Sequence, residues 1–461
     1  MMTIQHGYAW LGLATICTCA LAADVASAEV GPGTHAPDYE NQQLWPNLSG
    51  EEYFLDEQWP EARLLVWRHP GTSDSGRQAQ RRDEAQGDLD PMDPANWLVD
   101  GERPATEPPD ENTDLYFPDA DRIYYVGGVW GPHLKARHVT VGRNAVVGVK
   151  PLHGNLWIRR GGRFSVIGYG RDAFRIVGTK HTFFRNDNGA NLGDHRNEMD
   201  QAGTTVALWM LIEKTRGGSV EFLGTTGVSD ELKLNSGTTI VGPGSALLGG
   251  SAAKSIQVIG PDAELVLTSG AAFQKSGNYF GNSPDVIVQG RLSVGTPARP
   301  LQHDAYLGLS FKSEQADRLT EDDSRGQGPN VPPAMTNVPA GFLVEPQGRL
   351  RVVSEDPERA RLIIHWHGHD MYSHGERTHK DTPRLIDMAL LGKVDLNGVL
   401  LNHVKRGGVR LPDPSAREQW EHLQFGEDNG GPAETLFQRY EGPVAYEPID
   451  PSRRDESEGG E

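Results

Sequence analysis

The stretch Gly290-Arg291-Leu292-Ser293-Val294 decides the fold, because its grammar returns in Gly162-Arg163-Phe164-Ser165-Val166, Gly348-Arg349-Leu350-Arg351-Val352 and Gly392-Lys393-Val394-Asp395-Leu396. Each is a glycine, a base, then apolar-polar-apolar. That alternation is the period of a β-strand, with the third and fifth residues turned inward and the base left in solvent. The leading glycine suits a turn that takes positive φ. Spacings of 128, 58 and 44 residues exclude a strict repeat, so insertions must separate the copies. The expected fold is all-β: an irregular solenoid whose coils bury their apolar side chains only by stacking on one another. A pair of large β-sandwiches is the competing architecture.

Working outward, Leu115 to Leu309 holds many short alternating runs closed by Gly, Asn or Pro. Examples are Val139-Thr140-Val141, Ser219-Val220-Glu221-Phe222, Glu231-Leu232-Lys233-Leu234, Glu264-Leu265-Val266-Leu267 and Asp285-Val286-Ile287-Val288. Strand signals lapse from Gln315 to Ala340 and resume from Gly341 to Leu411. The expected organisation is a leader over 1–28, an irregular N-terminal or cap region over 29–109, coils over 110–310, a surface loop over 311–340, further coils over 341–430, and an acidic tail over 431–461. Within the N-terminal region only Leu64-Leu65-Val66-Trp67 reads as a strand, and Ser415 to Phe425 is the clearest short helical candidate.

The run Val288-Gln289-Gly290-Arg291-Leu292-Ser293-Val294-Gly295-Thr296-Pro297 resembles the coils of secreted right-handed parallel β-helix proteins, and those of G8-domain proteins in particular. The resemblance rests on turn and strand grammar over Leu115–Leu309 and Gly341–Leu411. It implies a right-handed parallel β-helix in an extracellular protein that handles polysaccharide, and it transfers no catalytic residue.

Composition narrows the functional classes. With 44 Lys+Arg against 63 Asp+Glu the chain carries −19, which argues against a nucleic-acid partner. Tyr8 to Ala23 is apolar and uncharged and is followed by Ala26-Ser27-Ala28, the pattern of a secretory signal with a small-residue cleavage site. The expected location is therefore secreted or periplasmic, without a membrane span. Both cysteines, Cys17 and Cys19, fall in that segment, so the expected mature chain lacks disulfides, thiolate nucleophiles and cysteine metal sites. Phosphate loops and Gly-x-Ser-x-Gly elbows do not occur.

Two polar clusters are the candidate sites. In Arg361-Leu362-Ile363-Ile364-His365-Trp366-His367-Gly368-His369-Asp370, strand alternation sends Leu362, Ile364 and Trp366 to the core and His365, His367 and His369 to the other face. With Tyr372 and Arg377 nearby, this row suits a general base. With Asp370 it suits a divalent cation such as zinc, held on neutral imidazoles; calcium on carboxylates and turn carbonyls suits an acidic exported chain, but no motif fixes a site for it. An ordinary polar β-surface is the plain alternative. The second cluster, His181-Thr182-Phe183-Phe184-Arg185-Asn186-Asp187-Asn188 with Asp194-His195-Arg196, reads as a loop projecting between coils. There Arg185 or Arg196 would neutralise a uronate carboxylate while His181 or His195 removes the adjacent proton. Trp130, Trp157 and Tyr372 are candidate sugar-stacking aromatics. The leading expectation is an exported solenoid that binds an extended polysaccharide, with lyase or hydrolase cleavage left open. The alternatives are a non-catalytic adhesive solenoid binding glycan or protein, and a metal-dependent hydrolase using His365 to His369.

Overall fold

Short strands that each end in a turn can bury an apolar face only if the next strand lies beside them, and the chain solves this by parallel pairing. The computed structural model describes residues 63–69, 90–127, 136–148, 153–168, 173–188, 203–228, 231–249, 257–275, 286–309, 342–366, 385–402, 406–410, 422–425 and 437–440. All secondary structure among these residues is β except one 3-10 turn, Pro94–Asn96, capped by the Asp93 side chain. No helix of the described residues is long and apolar enough to cross a membrane.

The strands fall into three parallel ladders. The first runs through Arg63–Trp67, Thr113–Phe117, His138–Val141, Asn155–Ile158, His181–Asn186 and the first half of Ser219–Val228. It continues through the ends of Glu231–Val241 and Gln257–Leu267 to Arg291–Val294, Arg349–Val352 and Lys393–Val394. The second ladder begins at Tyr124–Val126 and passes through Arg163–Gly168, Ala272–Lys275 and Leu362–Trp366 to Gln424–Phe425. The third begins at Phe174–Gly178 and passes through Val286–Val288 and Leu385–Leu390 to Phe437–Tyr440. From Gln257 to Arg410 the chain visits the third, first and second ladders in turn. Among the described residues, antiparallel pairing between strands occurs for Arg63–Trp67 with Trp97–Val99 and for Trp97–Val99 with Arg103–Pro104, and one isolated antiparallel bridge joins Thr296 to Arg299.

Register turns the alternating pattern into continuous core rows. Leu65, Leu115, Val139, Leu156, Phe184, Phe222, Val241, Leu267, Val294 and Val352 follow one another across the first ladder, all buried. The three ladders share this core: Phe164 of the second, Phe174 of the third and Phe184 of the first meet edge to face, with ring centroids 5.4–6.3 Å apart.

Four expectations change. The His181–Asn186 segment is a strand between Asn155–Ile158 and Ser219–Val228, not a projecting loop, because Thr182 and Phe184 occupy inward positions and are buried. The glycines at 290, 348 and 392 do not take positive φ; they are required by close packing. A Cβ on Gly290 would stand 2.2 Å from the carbonyl oxygens of Gly260 and Ala263, and a Cβ on Gly348 or Gly392 would stand 2.2 Å from that of Val288 or Gly348. Gln424–Phe425, the end of the helical candidate, is a strand. Strand Phe437–Tyr440 carries the third ladder into the region read as a tail.

Candidate functional site

Side chains alternate across each strand, so the first ladder also presents rows on its outward face. One row reads His181, Ser219, Thr238, Glu264, Arg291, Arg349, Lys393 in consecutive register. The row beside it includes Phe183, Glu221, Ile240, Val266, Ser293 and Arg351. Three of the glycine-base pentapeptides therefore stack directly, and Arg291, Arg349 and Lys393 form a column of exposed cations with Arg351 alongside. None of these four forms an ion pair among the described residues. Adjacent strands lie about 4.8 Å apart. At that separation, like charges facing water repel by roughly 1 kcal/mol per neighbouring pair. A concentrated positive strip on a chain of net charge −19 is a local feature that composition conceals.

The other end of the row is a built cluster. Direct pairing of His181 with Ser219 places Ser219 Oγ 2.5 Å from His181 Nδ1, and the same register leaves Glu221 Oε2 3.8 Å from His181 Nε2. The imidazole stands edge-on to the Phe183 ring, centroids 4.6 Å apart. The Glu221 side chain is 5% exposed, whereas that of His181 is 41% exposed. The turn after Arg291–Val294 brings Arg299 Nη1 to 3.9 Å from Glu221 Oε1. Lys214 lies fully buried nearby, its ammonium donating to the Lys180 carbonyl at 3.2 Å. Burial, with the positive charges of Lys214 and Arg299, lowers His181 to about 4, so its ring is neutral at physiological pH. Burial raises the Glu221 carboxyl, against the opposing pull of Arg299. Burial alone lowers Lys214 to about 7.

Nearer the first strands, the outward face is closed by polar contacts. Arg137 clamps Asp114 through two nitrogens at 2.7 and 2.6 Å. Asn155 donates to His138 Nδ1 at 2.6 Å and accepts from the Phe183 amide. Burial and the neighbouring Arg137 charge hold His138 well below its usual range.

Of the sequence candidates, His181 belongs to this site. Arg185 sits toward the other end of the same strand, in register with Trp157: its Nε donates to Asp187 at 2.9 Å and its guanidinium sits 5.5 Å from the Trp157 ring. Trp157 is half-buried, donates to Asp187 Oδ2 at 2.5 Å, and also has Arg159 beside it, 5.9 Å away. Asp194, His195, Arg196, His367, His369, Asp370, Tyr372, Arg377 and Trp130 lie outside the described residues. His365 is placed by its backbone alone, in register with Gly308 and Asn402, and Leu362 and Ile364 of its strand are buried as expected. Among the described residues, no group of three or more His, Cys, Asp or Glu side chains is arranged to hold a metal. Ser219, Glu221, Lys214 and Arg299 are not legible as a cluster in the sequence because more than 30 residues separate each from its partner. Comparison with family models, curated proteins and solved structures gives no match.

Proposed function

We propose that the chain winds as an exported right-handed parallel β-solenoid and binds an extended acidic polysaccharide along the outward face of its first ladder. The in-register column Arg291, Arg349, Lys393 is the observation that carries this reading. The column runs across the strands, so a linear polymer lying along it meets a cation at every strand spacing, about 4.8 Å. An anionic ligand offsets the mutual repulsion of the column, which a neutral polymer cannot do. The exported location rests on the apolar leader, and the winding on the three ladders around one core and the chain's return to each in turn.

Affinity electrophoresis of the chain from Glu29 tests the reading, using gels that contain a linear polyuronate, a neutral glucan or no polymer. Retardation by the polyuronate alone is the expected result. Equal mobility in all three gels, or equal retardation by the neutral glucan, overturns it.

A further inference from the structure

We propose that Ser219, His181 and Glu221 form a serine acyl-transfer site that hydrolyses an ester carried by the bound polymer. The geometry supplies the three roles. Ser219 Oγ lies 2.5 Å from His181 Nδ1, within reach of a proton acceptor, and is partly exposed at the surface. Glu221 lies beneath, 3.8 Å from the second ring nitrogen, where its carboxylate stabilises the imidazolium that forms when the serine proton is taken. That contact is longer than a hydrogen bond, and such contacts in unliganded sites tighten when substrate is bound. Phe183 fixes the ring plane from the side. Arg299, with 64% of its side chain exposed and its Nη1 3.9 Å from Glu221 Oε1, is the cation beside the cluster that would meet a developing oxyanion. Burial, assisted by the Lys214 and Arg299 charges, keeps the His181 ring neutral, with a nitrogen free to accept the serine proton.

The chemistry balances with water as the only co-reactant. Ser219 Oγ bonds to the ester carbonyl carbon as His181 takes its proton, and the tetrahedral species then expels the alcohol, which leaves with that proton. Water attacks the acyl-serine, His181 accepts a proton from it, and the carboxylic acid departs, restoring the serine hydroxyl. The substrate class is an O-acylated acidic polysaccharide. This part rests on the polymer-binding reading, because Ser219 stands in the same outward row as Arg291, three strand spacings or roughly 14 Å away.

The test needs no polymer, so its result is separable from that reading. The full chain is treated with a fluorophosphonate probe, the labelled peptide is mapped by mass spectrometry, and hydrolysis of p-nitrophenyl acetate is followed in parallel. The expected result is label on Ser219, with labelling and turnover falling at least 100-fold in Ser219→Ala and His181→Ala. Far-ultraviolet circular dichroism confirms that each variant keeps its strands. Absence of label on Ser219 in the wild-type chain, or labelling that persists in His181→Ala, overturns the proposal.

Discussion

Lys214→Met should make the protein more stable at neutral pH, and the gain should vanish in alkali. The Lys214 side chain is fully buried between the end of a third-ladder strand and the start of the first ladder, and its one described hydrogen bond runs to the Lys180 carbonyl. Burial lowers its proton affinity from the usual 10.5 to about 7. The unfolded chain therefore binds a proton between pH 7 and 10.5 that the folded chain does not. Stability from this group is full above about 10.5 and is lost as pH falls to 7. The loss amounts to roughly 4 kcal/mol at pH 7 and about 1 kcal/mol at pH 10. Methionine removes the charge while filling most of the space. It forfeits a hydrogen bond of about 1 kcal/mol, although the Lys180 carbonyl still accepts from the Ser219 amide. The net expectation is a gain of about 3 kcal/mol at pH 7 and near zero at pH 10. Guanidinium unfolding of both chains at the two pH values reads the difference. A variant less stable than the parent at pH 7, or a difference unchanged at pH 10, would refute the electrostatic reasoning.

Other consequences are as direct. Gly348→Ala should cost about 3 kcal/mol, because its Cβ would meet the Val288 and Glu345 carbonyl oxygens; a lowered unfolding midpoint with an unchanged spectrum checks this. Phe184→Ala should cost roughly 3–5 kcal/mol, since the ring contacts Phe164, Phe174 and Phe222 at the junction of the ladders; denaturant titration measures it. Stability should fall as pH drops below about 6.5, because unfolded histidines take up protons that buried His138 refuses; His138→Leu should flatten that limb of a midpoint-against-pH profile.

The strand content was legible in the residues, but of the site only His181 was, and the failures have a common cause. Alternation located the strands around Val139, Val220, Leu265 and Leu292, since inward and outward positions differ in polarity along one strand. Register between strands leaves no such trace when insertions vary. The bases at 291, 349 and 393 were therefore visible as solvated residues but not as a column, and His181 was visible without its partners at 219 and 221. Phe183 and Phe184 disguised their strand, because outward Phe183 is also buried and breaks the alternation. The glycine at the head of each pentapeptide was recognised, yet its reason, a carbonyl oxygen of the preceding coil, is a tertiary contact that local sequence does not record.

Polyanion binding, as proposed, rests on the column of bases on the first ladder. The most direct measurement compares polyuronate affinity of the parent chain with that of a triple variant, Arg291→Glu, Arg349→Glu and Lys393→Glu, at low and at raised salt. Exposed charge contacts contribute about 0.5 kcal/mol each, so losing three should weaken binding about tenfold, and the three introduced carboxylates add repulsion to that. Parent affinity should also fall as the screening length shrinks toward about 8 Å at physiological ionic strength. Equal affinity of the two chains, with or without salt, would contradict the account.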